Sequence, residues 1–106
     1  MSALSPSPLA PAAFPGLPPI KGVMLGTTNC GIRYQGRDDL LVAVMAPGTS
    51  AAGVLTRSLT ASAPVHWCRK VLAAGGGRAL VVNSGNSNAF TGRSGEVTVR
   101  ETAEAA

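Results

Sequence analysis

Between Gly22 and Val82 the apolar residues come in short blocks, divided by glycine, proline and polar residues. Leu40-Leu41-Val42-Ala43-Val44-Met45 is apolar at every position, which predicts a strand covered on both faces. Gly22–Thr27 predicts an earlier strand and Gly31–Tyr34 another. Gln35-Gly36-Arg37-Asp38 then makes a turn, with Gly36 free to take positive φ. Pro47-Gly48 stops the apolar block, and Ala51–Thr56 predicts a further buried strand whose small residues allow close approach. The spacing then becomes helical. Ser62-Ala63-Pro64 is a helix start, and Val65, Cys68, Arg69 and Leu72 repeat at the interval of a short amphipathic helix. Gly75-Gly76-Gly77 ends that helix, and Arg78–Val82 predicts the strand that follows. From Gly95 the pattern is helical again. Val99, Ala103 and Ala106 fall at i, i+4 and i+7, and Glu96 and Arg100 form a favourably oriented i, i+4 pair.

Residues 1–19 hold six of the eight prolines. Proline fixes φ and removes a donor, so this segment is expected to be a flexible leader, extended where it joins the fold near Ile20. Residues 20–106 then form the ordered part. Its alternation of strands and helices predicts an α/β fold of layered mixed sheets with helices. The last helix ends on Glu104-Ala105-Ala106 with no glycine, cap or basic last turn. The expectation is that the chain is part of a longer protein. An isolated piece of this kind should expose an apolar patch of more than a few hundred Å².

A length of 106 residues allows one modest domain, and a 45% hydrophobic content excludes general disorder. The formal charge of +4 comes from nine basic residues scattered between Lys21 and Arg100, with only four aromatics. Nucleic-acid binders cluster their basic residues and interleave aromatics, so solvated surface charge is the better reading. Cys30, Cys68 and His66 do not have metal-ligand spacing, so no metal and no cofactor is expected. The leader is not a charged end followed by an apolar run, and no apolar stretch reaches the ~20 residues of a membrane helix. A cytoplasmic protein with free thiols is expected.

The chemistry concentrates in Asn83-Ser84-Gly85-Asn86-Ser87-Asn88-Ala89-Phe90-Thr91-Gly92, directly after a predicted strand. Three asparagines within six residues place many donors and acceptors at one spot. Asn83, Asn86 and Asn88 are therefore candidates for the wall of an active site; the plainer alternative is that they satisfy the backbone of a tight turn. His66 and Cys68 lie two apart on a helix and do not face each other, which argues against a thiol nucleophile with its base. Asp38 and Asp39 fit a turn and the lead into a strand better than a catalytic acid pair. Gly75-Gly76-Gly77 lacks the pattern of a phosphate loop.

Four blocks in order resemble the ornithine acetyltransferase family, also called glutamate N-acetyltransferase. They are Gly22–Gly26 with Gly31–Tyr34, Asp39–Val42, Ala52–Thr56 with Ala63-Pro64-Val65, and Arg78–Gly92. The last block is the specific one. The resemblance covers about Pro18 to the end and implies the first part of the family's N-terminal subunit. Members are made as a precursor that cuts itself before a threonine, which becomes the nucleophile of the second chain. That threonine takes acetyl from N-acetylornithine and hands it to glutamate; some members also use acetyl-CoA. The chemistry is nucleophilic catalysis assisted by an oxyanion hole. The implied partners are the remainder of the same protein, as the β chain after self-cleavage, and a second αβ pair in an α2β2 heterotetramer. The cleavage threonine, the family's Ser-Thr-Gly oxyanion element and its ornithine-gripping residues are not in this chain. Thr91-Gly92 lies inside the amide block and is not that element. No catalytic residue is therefore assigned here. The competing expectations are a non-catalytic domain that binds a metabolite or a protein and, among enzymes, an N-terminal-nucleophile aminopeptidase of similar architecture.

Overall fold

A computed structural model describes residues 5–106. In the expected leader, residues 1–4 lie outside the described residues, and residues 5–19 carry no helix or strand and are exposed. The chain then forms β1 (Val23–Thr28), β2 (Leu40–Met45), α1 (Ala63–Leu72), β3 (Ala79–Asn83) and α2 (Gly92–Ala105). The three strands make one antiparallel sheet in the order β1-β2-β3. The fully apolar strand is thus the central one. Its register sets Val42 opposite Gly26 and Val81, and Ala43 opposite Leu25 and Leu80.

Alternation along the strands separates two faces. Ala79, Val81 and Asn83 of β3 turn toward α1 and α2, across a cavity of about 190 Å³ that Trp67, Cys68, Val71, Val99 and Ala103 also line. The opposite face carries Leu25 and Val82, which are 70% and 48% exposed; Leu80, 53% exposed, also borders the cavity. The cover expected on both faces of β2 is therefore incomplete, and its residues are half-buried except for Ala43. Ala43 and Ala63 are the buried hydrophobic residues among those described, and no large side chain is fully buried. The chain exposes 8758 Å². A compact monomer of this mass, 10.6 kDa, would expose roughly 5,500 Å², and its unfolded chain roughly 15,000 Å². The open sheet, the segment before β1 and the largely exposed 52–60 segment, with Val54 and Leu59 fully exposed, all contribute to the excess.

α1 starts where expected. Ser62 is extended at the N-cap, Pro64 sits in the first turn, and Arg69 and Lys70 complement the dipole in the last. The chain leaves α1 through Gly75, at φ 72°, whose N–H bonds back to the Leu72 carbonyl.

Two predicted strands are not formed. Gly31–Tyr34 lies in an irregular loop, because the amides of Cys30 and Ile32 are taken by the Asp39 carboxylate and not by a neighbouring strand. Ala51–Thr56 meets other backbone only at its start, where Ser50 bridges Gly76 and the Ala51 N–H donates to the Gly75 carbonyl. Beyond that point Val54 is fully exposed, and the Thr56 carbonyl accepts from Arg69 Nη2 at 2.6 Å. α2 begins at Gly92, three residues before the expected start, and Ala106 falls outside it as the C-cap. The expected Glu96–Arg100 pair is replaced by Arg100 Nε to Glu104 at 3.8 Å, while Glu96 lines a cleft shared with His66.

Candidate functional site

The sheet delivers the amide block to one end of the molecule. β3 stays paired to its last residue, Asn83, opposite Leu40, and one further bond runs from the Ser84 N–H to the Asp39 carbonyl at 2.9 Å. There the chain leaves the sheet at Gly85, whose φ of 96° suits a residue without a side chain. A Cβ at this position would stand 2.7 Å from Arg33 Cβ and 3.6 Å from the Tyr34 ring. The 29–38 loop is therefore the floor on which the amide block rests.

The structure brings Asn83, Asn86 and Asn88 together as one interlocked set. Asn83 Nδ2 donates to the Asn86 carbonyl at 2.7 Å, Asn86 Nδ2 to Asn88 Oδ1 at 3.2 Å, and the Asn88 N–H to Asn86 Oδ1 at 3.1 Å. The Asn88 carbonyl in turn accepts from the Ala63 N–H at 3.2 Å and from Thr91 Oγ1 at 3.1 Å. Within this bonded set Asn88 lies at φ 47°, and Phe90, two residues on, at φ 57°. Asparagine visits that region readily, whereas a phenylalanine there is an outlier that the surroundings must impose. Phe90 is 87% exposed, so burial does not hold it there.

Asn88 opens onto a cleft of about 260 Å³ formed where the first turns of α1 and α2 converge. Leu59, Thr60, His66, Phe90, Thr91 and Glu96 supply much of its wall. Neither helix is capped by its N-cap side chain; Thr91 uses its hydroxyl on Asn88 instead. His66 faces this cleft, whereas Cys68 faces the cavity beside β3, so the two are not a catalytic pair. Cys30 is exposed and Cys68 half-buried, and both are free thiols. Among the described residues no cluster of His, Cys, Asp or Glu has the makings of a metal site, and no helix is long and apolar enough to cross a membrane.

Of the two adjacent acids, Asp38 accepts from the Thr27 hydroxyl and is exposed. Asp39 is the one buried charged residue among those described, 3% exposed. Its carboxylate accepts the Cys30 and Ile32 amides, each at 2.7 Å. The Cys30 amide is the main cause that holds its pKa below the usual aspartate value; burial works against this and the Ile32 amide adds to it. The only signal of this role in the sequence is an acid placed directly before an all-apolar strand.

Known proteins share this arrangement of sequence and fold. An arginine biosynthesis bifunctional protein ArgJ from Bradyrhizobium diazoefficiens is 56% identical over 102 residues, 96% of this chain and 25% of the relative. The ArgJ protein of Ruegeria pomeroyi is 57% identical over 101 residues, 93% of this chain and 25% of the relative. The chain thus spans about a quarter of the length of these relatives. The crystal structure of a Mycobacterium tuberculosis ornithine acetyltransferase complexed with ornithine superposes with a TM-score of 0.75 at 38% identity. That match covers 78% of this chain and 44% of the other. The Bacillus halodurans ArgJ structure gives 0.71 at 30% identity, covering 76% and 42%. The sequence model of the ArgJ family matches residues 24–106, a span that holds the whole sheet from Met24 onward, the amide block and both helices, and the chain belongs to that family.

Proposed function

We propose that this chain is the N-terminal part of a glutamate N-acetyltransferase of arginine biosynthesis. In this reading the enzyme moves acetyl from N-acetylornithine to glutamate through a threonine nucleophile that lies outside residues 1–106. Acetyl-CoA is a further donor to be tested. The remainder of the protein, as a β chain after self-cleavage, is the partner, and the assembly is α2β2 in the cytoplasm. This chain supplies part of the sheet layer and, through Asn83, Asn86 and Asn88, one wall of the site.

The observation that carries this reading is the amide block itself. It sits at the end of a sheet strand, its asparagines are fixed by one another, and it belongs to a chain of the ArgJ family. A rigid loop of amides at a strand end suits recognition of a polar amino-acid substrate, because its donors are oriented before binding. The rival reading, a non-catalytic binding domain, would require a closed core within residues 20–106. The two buried alanines and the exposed Leu25, Leu80 and Val82 count against it.

The test begins with the coding frame beyond Ala106 and continues with the full-length product. Two chains by intact mass and acetyl transfer from N-acetylornithine to glutamate are the expected result. A stop codon after Ala106, or an uncut product without transfer, would replace the enzyme reading with the binding domain. In the active protein Asn86→Ala should lower turnover with little change in melting temperature. Parallel losses of both would make the asparagines a purely structural set.

A further inference from the structure

The amide block does not hold its own position. Its asparagines fix one another, and besides the pairing of Asn83 with Leu40 and the bond from the Ala63 N–H to the Asn88 carbonyl, the set is held at two places, the Ser84 N–H and the close approach of Gly85 to Arg33. Both places lead back to Asp39. The Asp39 carbonyl receives the Ser84 N–H, and its own N–H donates to the Thr28 carbonyl at 3.1 Å, extending the β1–β2 pairing by one bond. Its carboxylate gathers the Cys30 and Ile32 amides and so folds the start of the 29–38 loop back toward the sheet. That fold places Arg33 and Tyr34 under Gly85. The far end of the loop is tied by Asn29 Nδ2 to the Arg37 carbonyl and by the Arg37 guanidinium stacked 3.8 Å from the Tyr34 ring centre.

We propose that Asp39 is the positioning residue of the amide block, setting its place through the backbone bond to Ser84 and through the floor on which Gly85 rests. This rests on the reading of the block as a wall of the acetyl-transfer site. A carboxylate is the side chain this role demands. It accepts two amides at once with nothing to donate, whereas an asparagine of the same shape points an NH₂ at one of them. A buried amide left without its acceptor breaks the fold of the loop there. Asp38, the adjacent acid, is exposed and bonded only to Thr27 among the described residues, so it has no part in this linkage.

The test uses the full-length protein, with Asp39→Asn, Arg33→Gly and the control Asp38→Asn. Two readouts are taken: hydrogen exchange of peptides covering 29–38 and 84–91, and kcat and KM measured separately for acetyl transfer. Asp39→Asn should speed exchange in both segments at least ten-fold while β2 stays protected. It should also lower kcat/KM at least ten-fold. Arg33→Gly removes the Cβ under Gly85 without touching the Asp39 carboxylate and should speed exchange in 84–91; it keeps the test open if Asp39→Asn does not fold. Asp38→Asn should change neither readout. Unchanged exchange in 84–91 in both Asp39→Asn and Arg33→Gly would overturn the positioning role. Faster exchange with unaltered kinetics would confirm the linkage and refute the block as a site wall, so the two readings fail separately.

Discussion

Gly85→Ala is the substitution whose effect the structure specifies most fully. At φ 96° an L-residue is strained, by roughly 1–2 kcal/mol on the scale of the left-handed region. The new methyl would also stand 2.7 Å from Arg33 Cβ and 3.5 Å from the Arg33 nitrogen, closer to the former than carbon atoms approach. Relieving that overlap by moving the 29–38 loop adds about 1–3 kcal/mol. The sum is about 2–5 kcal/mol, and the lower bound alone raises local opening roughly thirty-fold. Hydrogen exchange of the 84–91 segment in the full-length protein reads this directly. The two contributions separate in a double-mutant cycle. Arg33→Gly removes the contacting Cβ, so Gly85→Ala in that background should keep only its φ strain, leaving a coupling of about 1–3 kcal/mol. Gly26→Ala is the control, since a Cβ there meets nothing within 4 Å and its φ is ordinary. Exchange in Gly85→Ala as slow as in Gly26→Ala would refute the strain, and a coupling of zero would refute the contact with the loop.

Three other outcomes follow from particular residues. Asp39 has a folded-state pKa below the ordinary value of 3.8, with the Cys30 amide as first cause. Its contribution to stability is therefore complete above that ordinary value and is lost as the pH falls through the lower one; acid denaturation of Asp39→Asn should show a shallower limb in that window. Ser62 makes no side-chain cap bond to α1, so Ser62→Ala should change stability by less than about 0.5 kcal/mol rather than the ~1 kcal/mol of a working cap, as melting curves would show. Replacing Leu25 and Val82 together by serine should raise the soluble fraction of residues 20–106 produced alone and lower the folded yield of the full-length protein. Equal solubility of the two isolated chains would mean that the open sheet face is not an apolar liability.

The sequence by itself determined the elements that depend on neighbours in the chain. β2 could be read because six apolar residues in a row have few alternatives, and α1 because Ser62, Pro64 and the following spacing act within a few residues of one another. The amide block could be read as a polar loop after a strand for the same reason. What the tertiary structure decided was every outcome in which a distant group competed for the backbone. Gly31–Tyr34 has strand-like residues, yet Asp39 claims the neighbouring amides; Ala51–Thr56 finds a backbone partner only at its first residues, while Arg69 takes a carbonyl at its end. Glu96 spaces correctly for Arg100, yet Arg100 turns to Glu104. The gathering of Asn83, Asn86 and Asn88 into one bonded set, and their dependence on a floor fifty residues earlier in the chain, likewise required the sheet to bring β2 beside β3. Propensity and spacing act over one or two turns of chain, whereas hydrogen-bond partners are chosen in space. A single well-placed carboxylate can therefore overrule a local preference worth only a few tenths of a kcal/mol per residue.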